Sequence, residues 1–237
     1  VSEAMKRRFD EARILMYSHD TFGLGHLRRC RTIAHALVED YRGLNVLIIS
    51  GSPIAGAFDY RARVDFVKIP SVIKLRNGEY TSLQLHIDIE KTLEMRSSII
   101  QHTAEIFDPH LFLVDKEPLG LRGEVRETLE VLRARGTRCV LGLRDVMDEP
   151  LSLVDEWQRK GVYPALDALF DEIWVYGQPE LFDPLSEIPG MAPFAAKTRF
   201  TGYLRRTLPD EGGPTTDAEA FAAGSGWWLF RMFRVTL

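Results

Sequence analysis

A glycine-rich stretch between an apolar run and a helical pattern carries the densest group of chemically useful side chains. The stretch YSHDTFGLGHLRRCRTIAHAL contains Gly23, Gly25, His26, Arg28 and Arg29 within a few positions. Glycine lets the backbone adopt a positive φ or approach a ligand closely. The free N–H groups and the positive dipole end of a helix start attract anions. The stretch therefore predicts a site for a phosphate or another anion, strengthened by the two arginines.

Other glycine-rich motifs fit the stretch less well. In GLGHLR, Arg28 takes the place of the third glycine of the dinucleotide fingerprint, and the next predicted strand ends in ISGSP with no acidic residue for a ribose. No Lys-Ser or Lys-Thr pair follows the glycines, as a P-loop requires. A tight strand-to-helix turn without a ligand stays open as the alternative, although His19 and Asp20 make the turn unusually polar.

Short apolar strands alternate with helical patterns along most of the chain, so the elements that position these residues can be predicted. The predicted strands are 13–19, 45–50, 64–70, 110–115, 137–145, 172–177 and 197–204. The predicted helices are 26–39, 83–107, 122–134 and a region 152–170 broken at Gly161 and Pro164, and 71–80 is predicted to be a loop with a turn at Asn77-Gly78.

The predicted strands are continuously apolar, which is typical of a parallel sheet that is covered on both faces. The fold class is therefore α/β, an open Rossmann-like parallel sheet with helices on both faces. Such sheets bind ligands beyond the carboxyl ends of their strands. Candidate residues at these ends are Ser50, Gly51, Asp115 and Arg144. A loop cap at Asp115 and a salt bridge between Arg144 and its neighbour Asp145 are the simpler alternatives.

Composition and charge exclude several classes of protein. A net charge of −4 and a pI of about 5.9 argue against a dedicated nucleic-acid binder. Cys30 and Cys139 are far apart and form no CxxC pair, so we expect no disulfide framework, no zinc site and a reducing cytoplasm. No apolar run is long enough to span a membrane.

Several separated blocks of the sequence resemble one family. The stretch SHDTFGLGHLRRCRTIAHAL is similar to the opening of two-domain GT-B glycosyltransferases, above all the predicted ones related to the peptidoglycan N-acetylglucosamine transferase. Further blocks resemble the same family in order: LIISGSP, VIKLRNGEYTS, LVDKEPLGLRGE, LGLRDVMDEP, WVYGQPELFDP and FTGYLRR. The resemblance covers about residues 12–207 and implies one Rossmann-like half of a GT-B fold.

The resemblance also implies roles for the candidate residues. In this class the N-terminal half binds the acceptor, the other half binds a nucleotide sugar, and catalysis commonly needs no metal. His26 would then take the proton of the acceptor hydroxyl, because the ordinary imidazole pKa of about 6.5 suits a base. Asp115 would orient or assist that base or bind a sugar hydroxyl, and Arg28 would bind a phosphate. The other substrate-binding candidates are Gly23, Gly25, Ser50, Gly51 and Arg144. A local backbone role for His26 and a solvated Arg28 are the alternatives.

The sequence after the resemblance lacks the pattern of a second half. We expect residues 1–207 to form the acceptor-type domain and residues 208–237 to form a linker and an aromatic tail, so that the chain is inactive alone. The expected partners are a small-molecule or lipid-linked sugar acceptor, with a UDP-sugar as co-substrate and no other cofactor. A homodimer, a separate donor domain, peripheral membrane contact through WWLFRMFRVTL, and a non-catalytic sugar- or phosphate-binding module stay open.

Overall fold

A computed structural model describes residues 11–19, 24–145, 147, 150–186 and 188–204. The strands are β1 (Arg13–Ser18), β2 (Asn45–Ser50), β3 (Val64–Lys68), β4 (Val72–Lys74), β5 (Tyr80–Ser82), β6 (Leu111–Asp115), β7 (Arg138–Arg144), β8 (Glu172–Tyr176) and β9 (Thr198–Phe200). The α-helices are α1 (Gly25–Asp40), α2 (Ile89–Phe107), α3 (Arg126–Ala134), α4 (Pro150–Arg159) and α5 (Val162–Leu169). Single 3-10 turns lie at Ala55–Ala57, Leu121–Gly123 and Ala192–Lys197.

Seven of the strands form one parallel sheet in the order β3-β2-β1-β6-β7-β8-β9. The chain builds outward from β1 to β3 on one side and from β6 to β9 on the other. The order therefore reverses between β1 and β6, and this is the place where an open α/β sheet leaves a crevice for a ligand. The predicted fold class, an open parallel α/β sheet of the Rossmann type, is confirmed.

Both faces of the sheet are covered, because successive strand residues point to opposite sides. Ile14 and Met16 of β1 pack with α1, while Leu15 and Tyr17 pack on the other side with α2, α3, α4 and α5. Helix α1 contributes an apolar stripe at helical spacing: Leu27, Cys30, Ile33, Ala34, Leu37 and Val38. This stripe fixes the rotation of α1 about its axis, and so decides which of its polar residues face the sheet.

The long second helix starts later than its sequence pattern predicts. Helix α2 begins at Ile89 rather than Leu83, and the Asp88 side chain caps it by accepting a hydrogen bond from the Glu90 N–H at 2.7 Å. Leu83 and Leu85 are exposed. The apolar residues just before Asp88 recur at every second position, which is not the spacing of a helix.

The predicted loop at 71–80 contains a short hairpin. Strands β4 and β5 pair in antiparallel fashion, and Gly78 takes a φ of 87° in the turn between them. Gly161, with a φ of 63°, separates α4 from α5 as predicted. The predicted break at Pro164 is wrong, because this proline lies in the first turn of α5, where its missing N–H costs nothing.

The described residues hold no helix that is long and apolar enough to cross a membrane. The predicted linker and aromatic tail at 208–237 lie outside the described residues, and the domain boundary at 207 stays a prediction.

Candidate functional site

The two predicted catalytic side chains meet at the point where the sheet order reverses. His26 is the second residue of α1, the helix that follows β1, and Asp115 is the last residue of β6. Asp115 follows Leu111 and Leu113 on the face that packs against α1, so its carboxylate lies under the start of that helix. Two residues that are 89 positions apart in sequence are thereby brought into contact.

The hydrogen bond between these residues sets the tautomer of the histidine. His26 Nδ1 lies 2.6 Å from Asp115 Oδ2. Burial alone would raise the pKa of the Asp115 carboxyl, but hydrogen bonds from His26 and Arg29 outweigh it and hold this pKa below the usual range. An ionised carboxylate only accepts hydrogen bonds, so Nδ1 carries the proton and donates it. When the ring is neutral, the other ring nitrogen, Nε2, is the acceptor, and the His26 side chain is 17% exposed.

Arg29 is the functional residue whose role the sequence does not predict: from the sequence it is expected to be a cation for a bound anion, but in the structure it binds Asp115. Its Nε donates to Asp115 Oδ1 at 2.8 Å and its Nη2 donates to Oδ2 at 2.9 Å, so the guanidinium grips both carboxylate oxygens. Although burial lowers the pKa of Arg29, these contacts raise it overall. The available signal was helix phase: Arg29 lies three residues after His26 and beside the buried Cys30, whereas the predicted Arg28 is exposed.

The aromatic ring of Tyr176 closes the far side of this group. The Arg29 guanidinium carbon lies 5.4 Å from the centre of that ring, within the range of a cation–π contact. The Tyr176 hydroxyl reaches over Gly142, where an added Cβ would come within 2.0 Å of it. This buried hydroxyl has no hydrogen-bond partner among the residues that the structure describes. Burial and the nearby Asp115 carboxylate raise the pKa of Tyr176 well above its ordinary value.

A second network of buried polar side chains lies next to the group formed by His26, Arg29 and Asp115. Arg96 donates to Glu124 Oε2 at 2.7 Å and to Oε1 at 2.6 Å, and the Tyr17 hydroxyl donates to Oε1 at 2.5 Å. The Tyr17 oxygen in turn accepts the N–H of Leu121 at 3.3 Å. Because the single Tyr17 proton goes to Glu124, the contact of 3.3 Å between this oxygen and His19 Nδ1 requires a proton on that nitrogen.

His19 ends this network of hydrogen bonds and lies beside His26, the candidate base. Its ring meets that of His26 edge-on, with 6.1 Å between centroids. Burial, reinforced by the positive charges that His26, Lys116 and Arg96 can carry, lowers the pKa of His19 to about 3. His19 is therefore neutral at physiological pH.

The predicted substrate-binding residues Ser50, Gly51 and Arg144 lie at the same edge of the sheet, at or just after the ends of β2 and β7. Ser50 ends β2 opposite Ser18, and its Oγ accepts the Ser52 N–H at 3.1 Å, so this hydroxyl supports the turn. Gly51 is buried in that turn, and Arg144 ends β7. Within the described ranges, the buried hydroxyl groups of Ser18 and Ser52 have no hydrogen-bond partner.

Two of the residues predicted from the glycine-rich stretch, Gly25 and Arg28, lie within the described residues. Gly25 opens α1 without a positive φ, so of the two reasons given for a glycine, a positive φ does not apply at this position. A Cβ at Gly25 would meet no atom of the described residues within 4 Å. Arg28 is exposed on the helix. Gly23 and Asp20 lie outside the described residues.

Metal ligands do not cluster in the part of the chain that the structure describes. Its His, Cys, Asp and Glu side chains form no group of three or more that could hold a metal ion. Cys139 is buried, and burial raises the pKa of its thiol to about 12, so it stays protonated.

Comparison with known proteins finds structural neighbours only. No family model matches the chain. No curated protein matches it either. Acinetobacter baumannii MurG is similar at 8% identity and a TM-score of 0.48, over 84% of this chain and 47% of that one. Medicago truncatula UGT71G1, solved with UDP-glucose, is similar at 15% identity and a TM-score of 0.47, over 88% and 54%.

A third similar structure is CalG4, the calicheamicin glycosyltransferase, at 17% identity and a TM-score of 0.44, over 86% of this chain and 54% of that one. The matched structures are glycosyltransferases with the GT-B fold, and this chain spans about half of their length. These are distant likenesses, so the functional argument rests on the geometry of the site.

Proposed function

We propose that this chain provides the acceptor-binding half of a glycosyltransferase. The reaction would move a sugar from a nucleotide sugar, expected to be a UDP-sugar, to a hydroxyl group of an acceptor. The observation that supports this most directly is the hydrogen bond of 2.6 Å from His26 Nδ1 to the buried Asp115 carboxylate at the switch point of the sheet. With Nδ1 bound in this way, Nε2 of the neutral ring would act as the base, at the sheet edge where folds of this type bind ligands.

The proposed reaction is a direct displacement. The acceptor hydroxyl gives its proton to His26 Nε2 while its oxygen bonds to the anomeric carbon of the sugar. The bond from that carbon to the diphosphate oxygen breaks, and the nucleoside diphosphate leaves with the electron pair. Asp115 stays ionised throughout and stabilises the imidazolium that forms. Because the nucleophile enters opposite the leaving group, the product has the inverted anomeric configuration.

The residues around the base would hold the acceptor in place. The start of α1 would offer its N–H groups to an anion, and Arg28 on the same helix offers an exposed cation for a phosphate. Arg144, at the end of β7, adds a second cation at the same sheet edge. The donor would be bound by a second half, in a longer form of the polypeptide or in a separate one.

Sugar transfer that depends on His26 tests this proposal. The chain, and any longer polypeptide that its gene encodes, is incubated with UDP-sugars and a panel of hydroxyl acceptors, and glycosylated products are detected by mass spectrometry. We expect His26→Ala to lower the rate by about 10²- to 10⁴-fold, the usual contribution of a general base. The matched control is His102→Ala, which changes an exposed histidine on α2.

Two results would count against parts of this proposal. Transfer that survives His26→Ala unchanged would remove the proposed base. Binding of sugars or phosphates near His26 without transfer by any form of the protein would favour the alternative of a non-catalytic binding module.

A further inference from the structure

Arg29 makes contacts that a simple histidine–carboxylate pair does not need. Two donors, Arg29 Nη2 and His26 Nδ1, converge on Asp115 Oδ2 at 2.9 and 2.6 Å, and the two nitrogens lie 3.0 Å apart. Since Nδ1 already donates to the carboxylate, this approach places a fixed positive charge directly beside the imidazole. The Arg29 side chain is only 13% exposed, so water screens that charge weakly.

A buried carboxylate beside a histidine has two opposing effects on a base. Its hydrogen bond orients the ring, but its negative charge also favours the protonated imidazolium, in which Nε2 can no longer accept a proton. A guanidinium bound to both carboxylate oxygens cancels most of that charge and leaves the hydrogen bond to Nδ1 in place. The orientation is then kept while the attraction for a second proton is reduced.

We propose that Arg29 is a positioning residue that holds Asp115 by two hydrogen bonds and balances its charge, so that His26 is oriented by the carboxylate yet stays unprotonated and available as a base. Its role in catalysis rests on the proposed function above. Its effect on His26 is a property of the free protein and can be measured without any substrate.

Among the described residues, the other charged and titratable groups around the imidazole are few. From the segment after β1, His19 approaches His26 edge-on and is neutral because its pKa is lowered to about 3. Tyr176 of β8 lies on the far side of Arg29, and its raised pKa keeps it neutral as well. Lys116 follows Asp115 and acts on His19. Arg29 is thus the cation that contacts both members of the pair.

The test is the pH titration of the His26 ring by NMR, in the free protein and in two variants. Arg29→Gln removes the charge, and we expect the midpoint of the His26 titration to rise by about one pH unit or more. Arg29→Lys keeps a cation but loses the two-pronged grip on the carboxylate, so we expect a smaller rise. The Lys variant still decides the question if the Gln variant does not fold.

The control is Arg31→Gln, which removes the same charge from the same helix. Arg31 donates to the Asp59 carbonyl and lies over the Phe58 ring, away from Asp115, so the His26 titration should not move. A midpoint that stays fixed or falls in the Arg29 variants would overturn the proposal.

The pH dependence of the sugar-transfer rate provides an independent measurement. In Arg29→Gln, the fall of the rate on acidification should begin at a higher pH, together with the higher NMR midpoint. A protein that shows the NMR shift but no sugar transfer would uphold the role of Arg29 in charge balance and contradict the proposed function alone.

Discussion

At the scale of single residues, the site depends on how two side chains, His26 and Arg29, share the buried carboxylate of Asp115. Asp115 is completely buried, and a lone charge in such a place would be very costly. Arg29 supplies the compensating charge and His26 supplies a further hydrogen bond. Removing one partner of such a buried pair typically costs about 3–5 kcal/mol, because the other is left uncompensated. The arrangement is therefore a structural anchor as well as a candidate catalytic group.

His19 makes the stability of the protein depend on pH. Its pKa is about 3 in the folded state and about 6.5 in the unfolded chain, so the unfolded state binds more protons between these values. Stability must then rise with pH across that window. We expect His19 to cost about 2 kcal/mol of unfolding free energy when the pH falls from about 7 to about 5. Urea unfolding at the two pH values measures this difference.

The same experiment on His19→Gln isolates that residue. The variant should lose less stability on acidification than the parent by this amount, even if it is less stable at both pH values. His102→Gln changes an exposed histidine and should leave the pH dependence as it is. Equal acid sensitivity in parent and His19→Gln would show that the ring is not held neutral.

At the scale of secondary-structure elements, the contact between β7 and β8 keeps Tyr176 in place over Arg29. Gly142 leaves the space that the Tyr176 hydroxyl fills, and a Cβ added at Gly142 would lie only 2.0 Å from that oxygen. Gly142→Ala should therefore overpack the sheet and lower the unfolding free energy by about 1–3 kcal/mol, as measured by urea denaturation.

Gly25→Ala provides the contrast within the same site. In the part of the chain that the structure describes, a Cβ at Gly25 meets nothing within 4 Å, and the backbone there has no positive φ. We expect its unfolding free energy to stay within about 0.5 kcal/mol of the parent or to rise slightly. If Gly142→Ala were as stable as Gly25→Ala, the close packing of Tyr176 would be refuted.

The position of each arginine around the axis of α1 explains why Arg29 reaches Asp115 and Arg28 does not. The strand ends follow from the apolar runs and from the rule that parallel strands present their carboxyl ends at one edge, whereas the pairing of His26 with Asp115 is expected from the resemblance to GT-B glycosyltransferases. The inward face of α1 is set by Leu27, Cys30 and Ile33, which turn Arg29 to the sheet and Arg28 to solvent. That stripe is visible in the sequence, but the partner of Arg29 is visible only in three dimensions.

Other features could not be predicted because the local signal is weak. Strands β4 and β5 have three residues each, too few for a period to show. The chain from Tyr17 through Glu124 to Arg96 joins three distant segments, and no spacing rule connects them.

At the scale of the whole molecule, one topological feature brings the chemistry together. The reversal of strand order between β1 and β6 places the start of α1 directly above the end of β6. The sheet delivers the base from one βα unit and its carboxylate partner from another, and its two faces are held by separate apolar clusters. The site is thereby built on rigid elements, as precise positioning of a base requires.

The most direct test of the account is the tautomer of His26 in the free protein. NMR correlation of the ring nitrogens with the ring protons shows which nitrogen carries the proton at neutral pH. The contact with Asp115 predicts a proton on Nδ1 and a bare Nε2. A proton on Nε2, or a ring that is already doubly protonated at neutral pH, would contradict the proposed base.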